Sequence, residues 1–179
     1  TGPLRVLCVA RLIPRKGIEF LIRALAQLPN SSVQLTLVGS GNHEDALRAL
    51  VRELELDQQV KFMGEIAHDN LPSVYRAHDV FVLPSLNEGM SNTALEAMAS
   101  GLPLVMTNTG GTSELVEDSV NGRVIAMRSA EAIAGALNGY ISQPELISQH
   151  GHASRAKAET MSWQAVAERY VRLYGELKA

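Results

Sequence analysis

Two cations and two carboxylates stand out in this sequence for where they fall. Arg11 and Lys16 lie in Ala-Arg-Leu-Ile-Pro-Arg-Lys-Gly, after an apolar run and before a helical pattern. A helix amino terminus offers unpaired N–H groups and the positive end of the helix dipole, so two added cations there suit a diphosphate. They equally suit a pair of solvated loop charges. Glu88 and Glu96 bracket Pro84-Ser-Leu-Asn-Glu-Gly-Met-Ser-Asn-Thr-Ala-Leu-Glu96, eight positions apart. That is a little over two helical turns, so the two carboxylates need not share one spot. A helix-borne carboxylate can accept hydrogen bonds from two vicinal hydroxyls, such as those of a ribose. Glu96 is conspicuous because Ala94, Leu95, Ala97, Met98 and Ala99 surround it with small or apolar side chains. Between the two acids, Met90, Ser91, Asn92 and Thr93 present successive amides at a helix start, suited to phosphate or sugar oxygens.

Glycines mark two further loops. Gly39-Ser-Gly41-Asn invites a dinucleotide reading, but Glu44 stands where a third glycine belongs, and no acid follows in the usual place. These glycines fit a tight turn with close approach to a ligand better. Gly110 and Gly111 open another helix, where they can approach phosphate or serve only as its cap. Metal chemistry has no obvious ligands: there is no Asp-x-Asp, and His43, His68, His78, His150 and His152 lack zinc-type spacing. No metal and no bound cofactor are expected, and Arg11 and Lys16 would neutralise a leaving diphosphate in a metal's stead.

The elements that must position these residues are short apolar runs alternating with amphipathic stretches. Strands are expected at 4–10, 33–38, 60–62, 80–83, 102–106 and 122–125. Helices are expected at 17–28, 44–56, 71–77, 91–100, 113–117, 129–141, 144–158 and 163–177. Strand and helix in alternation predict an α/β, doubly wound, Rossmann-like parallel sheet of about six strands, with helices on both faces and a helical tail. Such sheets bind ligands at the carboxyl ends of their strands, which is where every unusual loop here falls.

With 179 residues, 46% hydrophobic and 20% charged, the chain suits one soluble domain with a sizeable core. A net charge of −3 argues against nucleic acid as the main partner. Even so, Arg5, Arg11, Arg15, Lys16 and Arg23 face one acid, Glu19, in the first 23 residues. Cys8 is the single cysteine, in an apolar run, and reads as a small buried hydrophobe in a cytoplasmic protein. The chain enters a strand almost at once, which suggests a fragment of something larger.

Taken together, these residues resemble the family 4 glycosyltransferases of the GT-B fold. The resemblance rests on Arg11-Leu-x-x-x-Lys16-Gly17, Gly39-x-Gly41, Val60-x-Phe62-x-Gly64, Glu88-Gly89 with Glu96-Ala97, Gly101-x-Pro103-x-Val105 and Gly110-Gly111-x-x-Glu114, in order and spacing. Ser162-Trp163 through Tyr170 and Tyr174 is similar to the family's closing helix. The resemblance implies that Arg11, Lys16 and Glu88 form the catalytic set. Arg11 and Lys16 would bind and stabilise the departing diphosphate, and Glu88 would contact the donor sugar. Glu96 would bind the ribose. Gly39, Gly41, Gly89, Met90, Ser91, Asn92 and Thr93 would complete the nucleotide-sugar site. Gly64, Ile66 and Leu71 would border the base, with Ile66 as an apolar wall.

The resemblance further implies retaining, metal-independent transfer from a nucleotide-diphospho-sugar to a glycan or lipid-linked acceptor, usually discussed as front-face attack. A UDP-sugar is expected before a GDP-sugar. The acceptor would sit mainly in an N-terminal domain absent from this chain, so the fragment should bind donor but hardly catalyse. Through that domain the protein could lie peripherally at the inner face of the membrane. Two other readings compete. A non-catalytic nucleotide-sugar-binding module or partner subunit is disfavoured by the intact Arg11, Lys16, Glu88 and Glu96. A nucleotide-cofactor oxidoreductase is disfavoured by the broken glycine pattern.

Overall fold

The computed structural model describes residues 2–29, 31–161 and Val171. In chain order the elements are β1 (Leu4–Val9), α1 (Ile18–Leu25), β2 (Val33–Val38), α2 (Glu44–Glu53), β3 (Val60–Phe62), α3 (Leu71–Arg76), β4 (Val80–Leu83), α4 (Asn92–Ala99), β5 (Leu104–Thr107), α5 (Thr112–Leu115), β6 (Gly122–Ile125), α6 (Ala130–Ser142) and α7 (Glu145–Thr160). Short 3₁₀ turns at Pro14–Lys16 and His68–Asn70 precede α1 and α3. Apart from Val171, the helix expected at 163–177 lies outside the described residues.

The six strands form one parallel sheet in the order β3-β2-β1-β4-β5-β6. Both faces are buried, which is why the strands read as continuous apolar runs rather than alternating ones. One face carries Val6, Cys8, Leu35, Leu37, Val82 and Val105, covered by Ile18, Leu21, Ile22 and Leu25 of α1, Leu47 and Leu50 of α2, and Ile133 and Leu137 of α6. The other face carries Leu7, Val9, Phe81, Leu83, Leu104 and Met106, covered by Tyr75 of α3, Ala94, Ala97 and Met98 of α4, and Leu115 of α5. Each buried Leu or Ile of α1 contributes roughly 1.5–3 kcal/mol of transfer free energy, enough to hold so short a helix on the sheet.

The expected fold is the observed one, with local differences. Strand β5 starts two residues later than 102 because Pro103 has no N–H for a parallel ladder; its carbonyl still accepts from Phe81 at 3.0 Å. Helix α1 stops at Leu25, three residues short of the apolar pattern, and Leu28 is buried without being helical.

The sequence order reverses between β1 and β4, which pair at Val6–Val80 and Leu7–Phe81. The chain after β1 turns to the face covered by α1, and the chain after β4 turns to the face covered by α4. Where the two connections part, above the carboxyl ends of these neighbours, is the place at which open sheets of this kind hold their ligands. Arg11 and Lys16 leave one strand, and Glu88 leaves the other.

Candidate functional site

The connection after β1 is held against its neighbours by backbone contacts. Leu12 is buried, its N–H donates to the Ser40 carbonyl at 2.7 Å, and its carbonyl accepts from His43 at 2.9 Å. Gly41 lies so close behind that an added Cβ would stand 2.2 Å from the Leu12 oxygen. Gly39, at φ 128°, is backed in the same way onto Ala10. Pro14 then sets the 3₁₀ turn with its fixed φ, and Gly17 closes it in the left-handed region at φ 63°. A Cβ on Gly17 would meet the Pro84 carbonyl at 2.2 Å. This contact, with the Leu86 N–H donating to the Arg15 carbonyl at 2.8 Å, ties the β1 loop to the β4 loop.

That stitching brings Lys16 to Glu88. The Lys16 ammonium donates to Glu88 Oε2 at 2.5 Å, and the Ser85 hydroxyl donates to the same oxygen at 2.9 Å. The two charged side chains are only 14% and 15% exposed, so the pair is largely shielded from water. Ser85 is itself buried, and its carbonyl accepts from the Thr107 hydroxyl of β5. Arg11 is exposed and has no ion-pair partner among the described residues. Glu114 and Gly110 are exposed near the rim.

The β4 loop ends at Ser91, whose buried hydroxyl caps α4 by accepting from the Ala94 N–H at 3.3 Å. Ser91 Oγ thus serves the helix first, also lying 3.1 Å from the Thr93 hydroxyl. Among the described residues, the amides of Met90 through Thr93 donate to no protein acceptor, as the first N–H groups of a helix must unless a ligand or water takes them. Gly89 supports this stretch from below: a Cβ on Gly111 would come within 2.3 Å of its carbonyl oxygen. Met90 is 46% exposed.

Glu96 lies one turn into α4 with its side chain 31% exposed. Its Oε2 accepts from the Tyr75 hydroxyl at 2.8 Å, and the exposed His68 ring stands 3.9 Å from Oε1. Gly64, at φ 67°, ends the β3 connection; its carbonyl accepts from the Gly39 N–H at 2.8 Å. Beyond it, Ile66 and Leu71 are half-buried and packed against the α4 side of the core.

Several features were not legible beforehand. The clustered positive charge of the first 23 residues does not act as a unit. Arg5 points away at the amino end of β1, where its main-chain N–H and guanidinium both bond Asp79. Burial would raise the Asp79 carboxyl, but these bonds outweigh it and hold the carboxyl below its ordinary value. Gly39, Gly41 and Gly111 are required by contacts between loops, a reason their spacing did not reveal. Tyr75 was missed entirely, although a tyrosine in an apolar helical pattern signals that its hydroxyl needs a buried partner. Cys8 is buried as expected, and burial pushes its thiol up to about 12, which leaves it inert.

A separate groove of about 600 Å³ lies at the amino ends of β4 and β5, lined by Arg76, Asp79, Gly101 and Arg155 among others. It contains none of the residues expected to form the nucleotide-sugar site. The carboxyl ends of β1 and β4 instead gather the shielded ion pair, the free amides and Glu96. Among the described residues, no helix is long and apolar enough to cross a membrane.

Comparison with known proteins agrees with the fold. Residues 1–157 match the family described as glycosyl transferases group 1. An uncharacterized glycosyltransferase of Methanocaldococcus jannaschii is 35% identical over 173 residues, covering 94% of this chain and 44% of the relative. The sucrose-phosphate synthase of Thermosynechococcus elongatus superimposes with a TM-score of 0.88 at 34% identity, over 98% of this chain and 45% of that one. The Anabaena protein HepE, solved in complex with UDP, superimposes with a TM-score of 0.87 at 28% identity, over 98% of this chain and 49% of that one. The chain thus spans less than half the length of these relatives. By sequence and by fold, it belongs to the group 1 glycosyl transferases, as a domain of the Rossmann-like type found in GT-B enzymes.

Proposed function

We propose that this chain is the donor-binding, C-terminal domain of a hexosyltransferase that takes a nucleotide-diphospho-sugar and transfers the sugar, with retention and without a metal, to a glycan or lipid-linked acceptor. The observation that carries the reading is the shielded Lys16–Glu88 pair at the point where the strand order reverses, flanked by the open amides of α4 and by Glu96.

A donor diphosphate entering this crevice competes with Glu88 for Lys16. Its oxygens take the Lys16 ammonium and the amides at 90–93, with Arg11 closing from the rim. Glu88, released and already bonded by Ser85, then turns an acceptor toward the sugar hydroxyls. Glu96 holds the ribose. During transfer the bond from the anomeric carbon to the β-phosphate oxygen breaks, and both its electrons leave with the phosphate. The acceptor oxygen bonds to that carbon on the same face and passes its proton to an oxygen of the departing diphosphate. Lys16, Arg11 and the α4 dipole meet the charge that grows on the diphosphate, the task a metal performs elsewhere.

Uridine is the first choice of base, supported by the UDP bound in the similar HepE. The acceptor would occupy an N-terminal domain of the same polypeptide, in the cytoplasm and peripheral to the membrane, so this domain alone should bind donor with little turnover. Calorimetric titration with uridine, guanosine and adenosine diphosphates tests the reading. Binding of at least one, reduced by Lys16→Ala and by Glu96→Gln, is the expected result; equal binding by wild type and both variants would overturn it.

A further inference from the structure

Glu96 is a long, three-torsion side chain a third exposed on a helix, and a ribose ligand of that kind loses entropy each time it binds unless something holds it. The structure supplies the holder. Tyr75 comes from α3, only 1% exposed, with its ring against Phe81 at a centroid distance of 6.1 Å and a tilt of 48°. Its hydroxyl emerges from the core beneath α4 and donates to Glu96 Oε2 at 2.8 Å. Burial, reinforced by the hydrogen bond and the negative charge of Glu96, pushes the phenol well above its ordinary range, so it stays a donor wherever the protein is folded.

The stereochemistry of the acceptor matters. A carboxylate offers about four lone-pair positions. Tyr75 occupies one on Oε2, leaving Oε1 and the second position of Oε2 for a ligand. The other neighbour, His68, is exposed and 3.9 Å from Oε1, too far for a hydrogen bond. Oε1 therefore has no fixed competitor, while Oε2 is anchored.

We propose that Tyr75 is the positioning residue for Glu96: its buried hydroxyl locks the carboxylate in the one orientation that presents two acceptors to the vicinal hydroxyls of the nucleotide ribose. The proposal rests on the reading of Glu96 as ribose ligand. It makes Tyr75 act through Glu96 and not by touching the nucleotide.

The test compares uridine and guanosine diphosphates with their 2′,3′-dideoxy counterparts, by calorimetry on the full-length protein as wild type, Tyr75→Phe and Glu96→Gln. Thermal melting confirms that each variant is folded; Tyr75→Phe retains the buried ring. For the tighter-binding ribonucleotide, Tyr75→Phe should weaken affinity about 5- to 10-fold, in keeping with the net contribution of one typical intramolecular hydrogen bond. Against the dideoxynucleotide the same substitution should change affinity less than about twofold, since there are no hydroxyls for Glu96 to hold. If Glu96→Gln weakens the ribonucleotide and Tyr75→Phe does not, the positioning role is overturned and the ribose role stands. Equal weakening of both nucleotides by Tyr75→Phe would overturn it too, marking a general packing effect. If Glu96→Gln discriminates between ribo- and dideoxynucleotide as strongly as wild type does, both roles fall.

Discussion

Removing Lys16 should destabilise the empty protein through what it does to Glu88. The two side chains are 14% and 15% exposed and meet at 2.5 Å, with only Ser85 left to bond Glu88 once the ammonium is gone. Exposed ion pairs contribute up to about 1 kcal/mol, and breaking a fully buried pair costs about 3–5 kcal/mol. A pair this shielded but not sealed falls between, so Lys16→Ala should cost about 2 kcal/mol. For a domain of this size that lowers the melting temperature by roughly 4–8 °C. Glu88→Gln, which keeps the volume but drops the charge, should cost about 1–2 kcal/mol by stranding Lys16 in turn. The double variant strands neither charge, so its loss should fall short of the sum by about 1–2 kcal/mol. Urea unfolding of the four proteins at pH 7.5, without ligand, reads this coupling directly. Single-variant losses that add to within about 0.5 kcal/mol would refute it, because the pair could then not be formed in the empty site. The same coupling is what an arriving diphosphate must replace, so it also sets the cost of opening the crevice.

Further outcomes follow from the same geometry. Gly111→Ala and Gly41→Ala would each drive a Cβ to within 2.3 Å of loop backbone; both should weaken uridine diphosphate binding at least tenfold while the far-ultraviolet spectrum stays that of wild type. Unchanged affinity would mean the loops yield without moving the site. In the full-length enzyme, Lys16→Ala should lower turnover by about 2–4 kcal/mol of transition-state stabilisation and Glu96→Gln should act mainly on donor binding. A Lys16→Ala effect confined to the Michaelis constant would reverse that assignment. Diphosphate affinity should fall as salt rises, since the crevice charges are partly open to ions over about 8–10 Å; affinity flat from low to high salt would contradict a charge-based site. His78 and His150 are lowered by burial, so the unfolded chain takes up their protons first. Their stability contribution is therefore present above the ordinary histidine value of about 6.5 and declines as pH falls through it. Melting temperatures taken from pH 7.5 to 5.5 should decrease, and a rise on acidification would count against two neutral rings, His150 buried and His78 half-buried.

How much of this was legible in the sequence depends on the range of each interaction. The strands could be read because residues such as Val6 and Leu7 are buried on opposite faces, turning each strand into an unbroken apolar run. Arg11, Lys16, Glu88 and Glu96 could be read because the carboxyl-end rule gathers loops that are far apart in the chain. What joins those loops could not be read. Gly17 against Pro84, Gly41 against Leu12 and Gly111 against Gly89 are contacts of backbone on backbone, and no periodicity encodes them. Tyr75 and Glu96 sit 21 positions apart on different helices, so their bond depends on how α3 and α4 lie on the sheet. Arg5 adds to the positive charge of the first 23 residues, but a parallel strand carries it to the end of the sheet away from Arg11 and Lys16, beside Asp79.

The central claim is that the crevice between the β1 and β4 connections holds a nucleotide diphosphate, and a crystal structure of the protein with uridine diphosphate tests it most directly. The account expects a phosphate oxygen within hydrogen-bond distance of the Lys16 ammonium, Glu88 parted from Lys16, and both ribose hydroxyls on Glu96. A nucleotide bound in the groove beside Arg76, Gly101 and Arg155, or one in the crevice with its ribose away from Glu96, would contradict it.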